Sequence, residues 1–142
     1  MKEFKFSANS AKNMDGIHRD LITVMYEAIK HSPIDFGVPI TGGLRTTEIQ
    51  QMLFDSGVTK CDGVKVRSNH QDGMAVDVYA YLNGAASWKS EHLSIIAGVV
   101  LSTAKRLKAE GKISIELTWG GTFGSNEFDG WDKPHYEVKK SS

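Results

Sequence analysis

Ser68-Asn69-His70-Gln71-Asp72-Gly73-Met74-Ala75-Val76-Asp77 is the stretch on which the fold turns. Its first half is polar and closes on glycine; its second half alternates. Glycine tolerates the left-handed backbone of a tight turn. The chain is therefore expected to reverse at Gly73 and to continue as a strand from Ala75 to Tyr81. On that strand Ala75, Asp77 and Tyr79 share one face, and Val76 and Val78 the other. Asp77 thus stands inside Ala-Val-Asp-Val-Tyr-Ala-Tyr, among residues that read as core. An unpaired charge there is costly, so the carboxylate needs a cation or hydrogen bonds.

Upstream of this stretch, apolar residues from Met14 to His31 recur at helical spacing, and Ser32-Pro33 closes the helix. Phe36 to Ile40 reads as a short strand ended by Thr41-Gly42-Gly43. A second helix starts after Arg45, capped by Thr46 or Thr47, with Ile49, Met52 and Leu53 facing inward. Residues 55–68 are polar and glycine-bearing, a loop long enough to suggest a functional part. Downstream, Trp88 to Glu110 is the longest helix, stopped by Gly111. Ile113, Ile115 and Leu117 alternate as a strand, residues 119–130 form a glycine-rich loop, and His135 to Val138 is a last strand. The mixture predicts an α+β domain, an antiparallel sheet with helices packed on one face, filling residues 1–142 as a single domain.

Three residues in this frame suit a metal. His70 precedes the Gly73 turn and Asp77 follows it, so ligands seven residues apart can converge on one ion; His135 opens the last strand as a third ligand. Imidazole and carboxylate both suit zinc, and three protein ligands leave one tetrahedral position open, as in catalytic rather than structural sites. Asp132, three residues before His135 and held by the stiff Pro134, can reach that position as a general base. Arg45, after Gly42-Gly43, can aim its donors at a developing oxyanion or a substrate carboxylate. Each segment alone also has a plain reading: a polar loop with one exposed acid, a turn aspartate, a solvated arginine. Ser68 is a candidate for orienting His70, Glu137 either lines the site or flanks it, and Trp119 and Trp131 are either cleft wall or core. His18, His31 and His92 lack carboxylates at ligand spacing and read as surface or packing residues.

Composition narrows the field. Seventeen acids balance seventeen bases over 142 residues, which gives no long-range attraction to nucleic acid or anionic lipid. The lone Cys61 excludes an internal disulfide and a thiolate-rich zinc site. The longest apolar run, Ile95 to Leu101, is too short for membrane insertion, and the start lacks the apolar stretch of a secretory signal.

Taken together, the segments resemble the M15 family of zinc peptidases, the group of D-alanyl-D-alanine carboxypeptidases and endolysins. Residues 68–77 fit that family's Ser-x-His-x-x-Gly-x-Ala-x-Asp signature at every specified position. Asp132 and His135 fit its later acid-and-histidine signature, and Gly43-Leu44-Arg45-Thr46 and Trp119-Gly120-Gly121 fall in its order. The likeness covers roughly residues 3–138 and implies a hedgehog/D,D-peptidase-like fold. Phe4-Lys5-Phe6-Ser7, Asn9-Ser10 and Ser32-Pro33-Ile34-Asp35-Phe36 further resemble compact phage endolysins. That subtype implies an L-alanyl-D-glutamate endopeptidase of peptidoglycan stem peptides, carrying one Zn2+ and acting as a monomer. It would be made in the host cytoplasm and reach the wall after release by a separate pore protein. D,D-carboxypeptidases and D-alanyl-D-alanine dipeptidases share the same ligands, and a zinc-stabilised binding module without catalysis, of the hedgehog type, is the remaining alternative.

Overall fold

The structure, a computed structural model, describes residues 2–139. Helix α1 (Ala8–Asn13) is capped by Ser7, whose hydroxyl accepts from the Ser10 N–H at 3.1 Å. The single helix expected over residues 14–31 is interrupted: α2 spans only Arg19–His31. Gly16, at φ +88°, turns the chain, and the His18 ring accepts the Asp20 N–H at 3.0 Å as the new cap. The periodicity persists because Met14 and Ile17 bury against the same core as Leu21, Val24, Met25, Ala28 and Ile29.

Strand β1 (Asp35–Gly37) is shorter than expected, and α3 (Thr47–Asp55) begins as expected, with the Thr46 hydroxyl accepting from Ile49 N–H at 3.1 Å. Its inward side differs. Met52 is 56% exposed, whereas Gln50 is fully buried. Gln50 is satisfied there by the Cys61 carbonyl, which accepts from its Nε2 at 2.8 Å, and by Arg45 Nη1, which donates to its Oε1 at 3.1 Å.

The expected strand over residues 75–81 is divided into β2 (Ala75–Asp77) and β3 (Tyr79–Leu82). A hairpin adds β4 (Ala85–Ser87), α4 follows at Ser90–Ala109, and β5 (Leu117–Trp119) and β6 (His135–Val138) complete the chain. The one expected sheet is thus two antiparallel sheets, ordered β1-β3-β4 and β2-β6-β5. Val78, between β2 and β3, donates to the Pro134 carbonyl at 2.9 Å, where the chain crosses from one sheet to the other. The α+β class with antiparallel pairing holds. Helices α2 and α4 pack on each other, α4 touches both sheets, and Val76, Val78, Ala80 and Tyr136 close the core between them.

Ile113 and Ile115 are buried as their alternation implies, but residues 113–116 make no ladder. The Ser114 N–H and hydroxyl instead donate to the Asp20 carboxylate, at 3.0 and 3.2 Å. No helix among the described residues is long and apolar enough to cross a membrane.

Candidate metal centre

His70 lies in a single 3-10 turn, Asn69–Asp72. Ser68 starts it: its hydroxyl accepts the His70 backbone N–H at 3.2 Å, and its own N–H donates to Gln71 Oε1 at 2.9 Å. Ser68 thus meets His70 through its backbone. The ring is fixed elsewhere, through Nδ1 and the Gly43 carbonyl at 3.0 Å, which directs Nε2 towards Asp77. Gly73 ends the turn at φ +69°, and a β-carbon there would lie 2.8 Å from the Gly16 carbonyl oxygen. Both the backbone and the space require glycine.

Asp77 and His135 are direct partners across β2 and β6. Opposed residues in an antiparallel pair put their side chains on the same face, with Cβ atoms roughly 5 Å apart. Register thus unites residues that are far apart in the chain. Asp77 Oδ1 lies 3.0 Å from His135 Nδ1 and 3.3 Å from His70 Nε2. One donor atom from each of the three residues falls within 4.8 Å of the others.

The surrounding residues fix each donor. Glu137, two residues along β6, takes the far side of His135, with Oε1 2.7 Å from Nε2. Arg45 Nη2 donates to Asp77 Oδ2 at 3.2 Å, while its Nε and Nη1 donate to the Thr41 carbonyl and to Gln50. Only 9% of the Arg45 side chain is exposed. Arg45 thus joins the site through Asp77, an arrangement that supports a positioning part rather than contact with a substrate oxyanion. Asp132 comes closest to open solvent, with a third of its side chain exposed and Oδ2 3.9 Å from His135 Nδ1. Its backbone is held by Gly120, whose carbonyl accepts the Asp132 N–H at 3.2 Å. A β-carbon on Gly120 would collide with the Asp132 carbonyl oxygen, so this glycine allows the two loop segments to touch.

The electrostatics match a cation site. Burial alone pushes the Asp77 carboxyl up, but hydrogen bonds from His135 and His70, and their charge, hold it far below the carboxylate range. Burial pulls His135 down, yet Asp77 and Glu137 together push it up to about 9. Asp132 is raised, first by burial and then by the Asp77 charge, against the opposing pull of His135. Two imidazoles and a carboxylate form a donor set suited to zinc, and both imidazoles have their outer nitrogens anchored, as metal-binding histidines require. The residues present therefore fit the ion.

The other expected residues separate. Trp119 is core, 4% exposed, with its indole N–H donating to the Lys133 carbonyl at 2.7 Å; Trp131 is 76% exposed. His31 faces Glu27 at 3.5 Å and His92 meets Ser87 at 2.7 Å, both as packing or surface contacts. Glu137, which the sequence left as either lining or flanking the site, lies directly against His135. Its signal was the two-residue spacing from His135, which on a strand means a shared face.

A model of the phage L-alanyl-D-glutamate peptidase family matches residues 2–138. The L-alanyl-D-glutamate peptidase of Escherichia phage T5 is 32% identical over 85 residues; the match spans 60% of this chain and only 60% of that enzyme. The crystal structure of the L-Ala D-Glu endopeptidase ChiX of Serratia marcescens superposes with a TM-score of 0.76 at 30% identity, over 97% of this chain and 92% of that one. With the fold, the His-Asp-His cluster and a match along almost the whole sequence in agreement, the chain belongs to the phage L-alanyl-D-glutamate peptidase family.

Proposed function

We propose that this protein is a zinc-dependent endopeptidase that cleaves the L-alanyl-D-glutamate bond of peptidoglycan stem peptides, serving as a phage endolysin. The observation that carries this reading is the clustering of His70, Asp77 and His135 with Asp132 at the open side. His70 Nε2, Asp77 Oδ1 and His135 Nδ1 would hold the ion. Zinc, when bound, supplies Lewis acidity towards the scissile carbonyl and a water molecule.

The protein's own residues do the rest. Asp132 accepts a proton from the water that adds to the alanyl carbonyl carbon. It returns that proton to the glutamate nitrogen as the C–N bond breaks. Its raised affinity for a proton suits both halves of this exchange. Arg45 holds Asp77 in place and Glu137 holds His135, so neither ligand needs to reorganise. Acting as a monomer, the enzyme would work on the wall after a separate pore protein releases it from the host cytoplasm.

Digestion of purified peptidoglycan tests the bond. New amino-terminal D-glutamate in the products, read by mass spectrometry, is the expected result; release of free D-alanine would instead support a D,D-carboxypeptidase. Asp132→Ala should retain zinc and lose about 10²–10⁴ in rate. Full activity in that variant would remove Asp132 from the mechanism.

A further inference from the structure

Beside the centre lies a cleft of about 290 Å3, bounded by Trp88 and Ser90 at the start of α4 and by Asp129, Trp131 and Lys133 opposite. Trp88 is 52% exposed and Trp131 76%. Each indole packs one side on a neighbouring ring, Trp88 on Tyr79 and Trp131 on Phe123, and leaves half or more of its surface in water around one depression. Exposed aromatics so grouped mark a binding surface. One aromatic layer separates the cleft from the centre. The Trp131 ring packs on Phe123 at 5.3 Å, and Phe123 packs on the His135 ring at 5.7 Å. Asp132 sits between Trp131 and Lys133 in the chain.

The polar groups of the cleft are held and balanced. Lys133 Nζ donates to the Ser90 and Ser94 hydroxyls, and the Asp129 carboxylate accepts from Ser125. One acid and one base with two flat apolar faces suit a neutral ligand rich in hydroxyl and amide groups. They offer no net positive charge to the stem peptide beyond D-glutamate, whose free carboxylates call for a cationic site.

We propose that this cleft is a saccharide subsite, taking the N-acetylated amino sugar to which the stem peptide is attached. The proposal rests on the peptidase reading above. In that substrate, the L-alanine nitrogen is acylated by the lactyl group of the sugar, so a pyranose ring lies one residue from the scissile bond. Its C–H faces would lie on Trp88 and Trp131, and its hydroxyl and acetamido groups would meet the polar rim.

Two substrates test this: the free stem tetrapeptide, and the same peptide on its N-acetylglucosaminyl-N-acetylmuramyl disaccharide. Wild type is expected to show kcat/KM about tenfold or more higher on the sugar-bearing peptide, chiefly through KM. Trp131→Ala and Trp88→Ala should each collapse that ratio towards one. Equal wild-type rates on both substrates, or a ratio that neither replacement changes, would overturn the subsite and leave the peptidase reading standing. A protein that cleaves neither substrate would sink the peptidase reading itself. In that event the peptide-free disaccharide decides, through the indole N–H resonances of Trp88 and Trp131. Saturable shifts of both support the subsite, and none up to about 10 mM overturns it.

Discussion

Along β6, His135 and Glu137 project to one face, and the 2.7 Å contact between them sets which ring nitrogen turns to Asp77. Glu137→Gln keeps the shape and loses the charge, and should weaken zinc binding by about 10–100-fold, measured by competition with a chromogenic chelator. Unchanged affinity would reduce Glu137 to a neighbour. The same pair makes binding pH-dependent. In the metal-free protein His135 keeps its proton up to about 9, above the ordinary histidine value near 6.5. Its ion pairs with Asp77 and Glu137 therefore stabilise the metal-free fold fully below that ordinary value and are lost as pH rises through about 9. Metal must displace the proton, so apparent affinity should climb about tenfold per pH unit below about 9 and level off above it. A flat profile would mean that His135 yields no proton. The next residue, Tyr136, is fully buried with its hydroxyl unpartnered among the described residues. Tyr136→Phe should then be neutral or stabilising, by about 0–1 kcal/mol in urea denaturation. A clear loss of stability would reveal a partner for that oxygen. At this scale Asp77 was legible because a carboxylate among core residues needs a cation or hydrogen bonds, and the two histidines because they fall in the family signature. The parts played by Arg45 and Glu137 were not, since they depend on which atom each side chain meets.

Between elements, the contact of α2 with the extended residues 113–116 shows where periodicity misleads. Alternation correctly marked Ile113 and Ile115 as buried, but alternation reports burial and not who receives the backbone N–H groups. Here the Ser114 N–H goes to Asp20, so no strand forms. Likewise Gln50 occupies the inward position of α3 that an apolar count gave to Met52, because Arg45 and the Cys61 carbonyl satisfy it. Asp20 carries a testable consequence. The Ser114 backbone N–H, against the opposing effect of burial, holds its carboxyl below the usual value. A depressed folded-state value means that the stabilisation is present above the unfolded value near ~4 and disappears as pH falls through the folded one. Asp20→Ala should cost about 1–3 kcal/mol near neutrality. In urea denaturation, the gap between variant and wild type should narrow in acid; a constant gap would assign the loss to packing.

Over the whole molecule, residues 75–82 run through both sheets, and the first of these strands carries Asp77 to its partner on β6. Nothing local announces that Asp77 and His135 share a register, because pairing over such a distance is decided by the assembled core. The signature likeness therefore did what periodicity does not. The core that decides it, from α2, α4, Val76, Val78 and Tyr136, is apolar, and His70 and His135 lie buried beside it. The three ligands sit at its margin on a 3-10 turn and two strands, with the Gly43 carbonyl and Arg45 reaching them from a further loop. A bound ion would tie these separate segments together without being needed to form the core. Chelation should accordingly leave helix content intact by circular dichroism. It should lower the Tm in proportion to the binding energy withdrawn, about 4 kcal/mol for free zinc at a thousand times its Kd, or on the order of 10 °C in a chain of this size. His135→Ala should show the lower Tm from the outset and no further change on chelation. A metal-free protein that loses its helices would show instead that the ion, and not the packing of α2 on α4, holds this fold together.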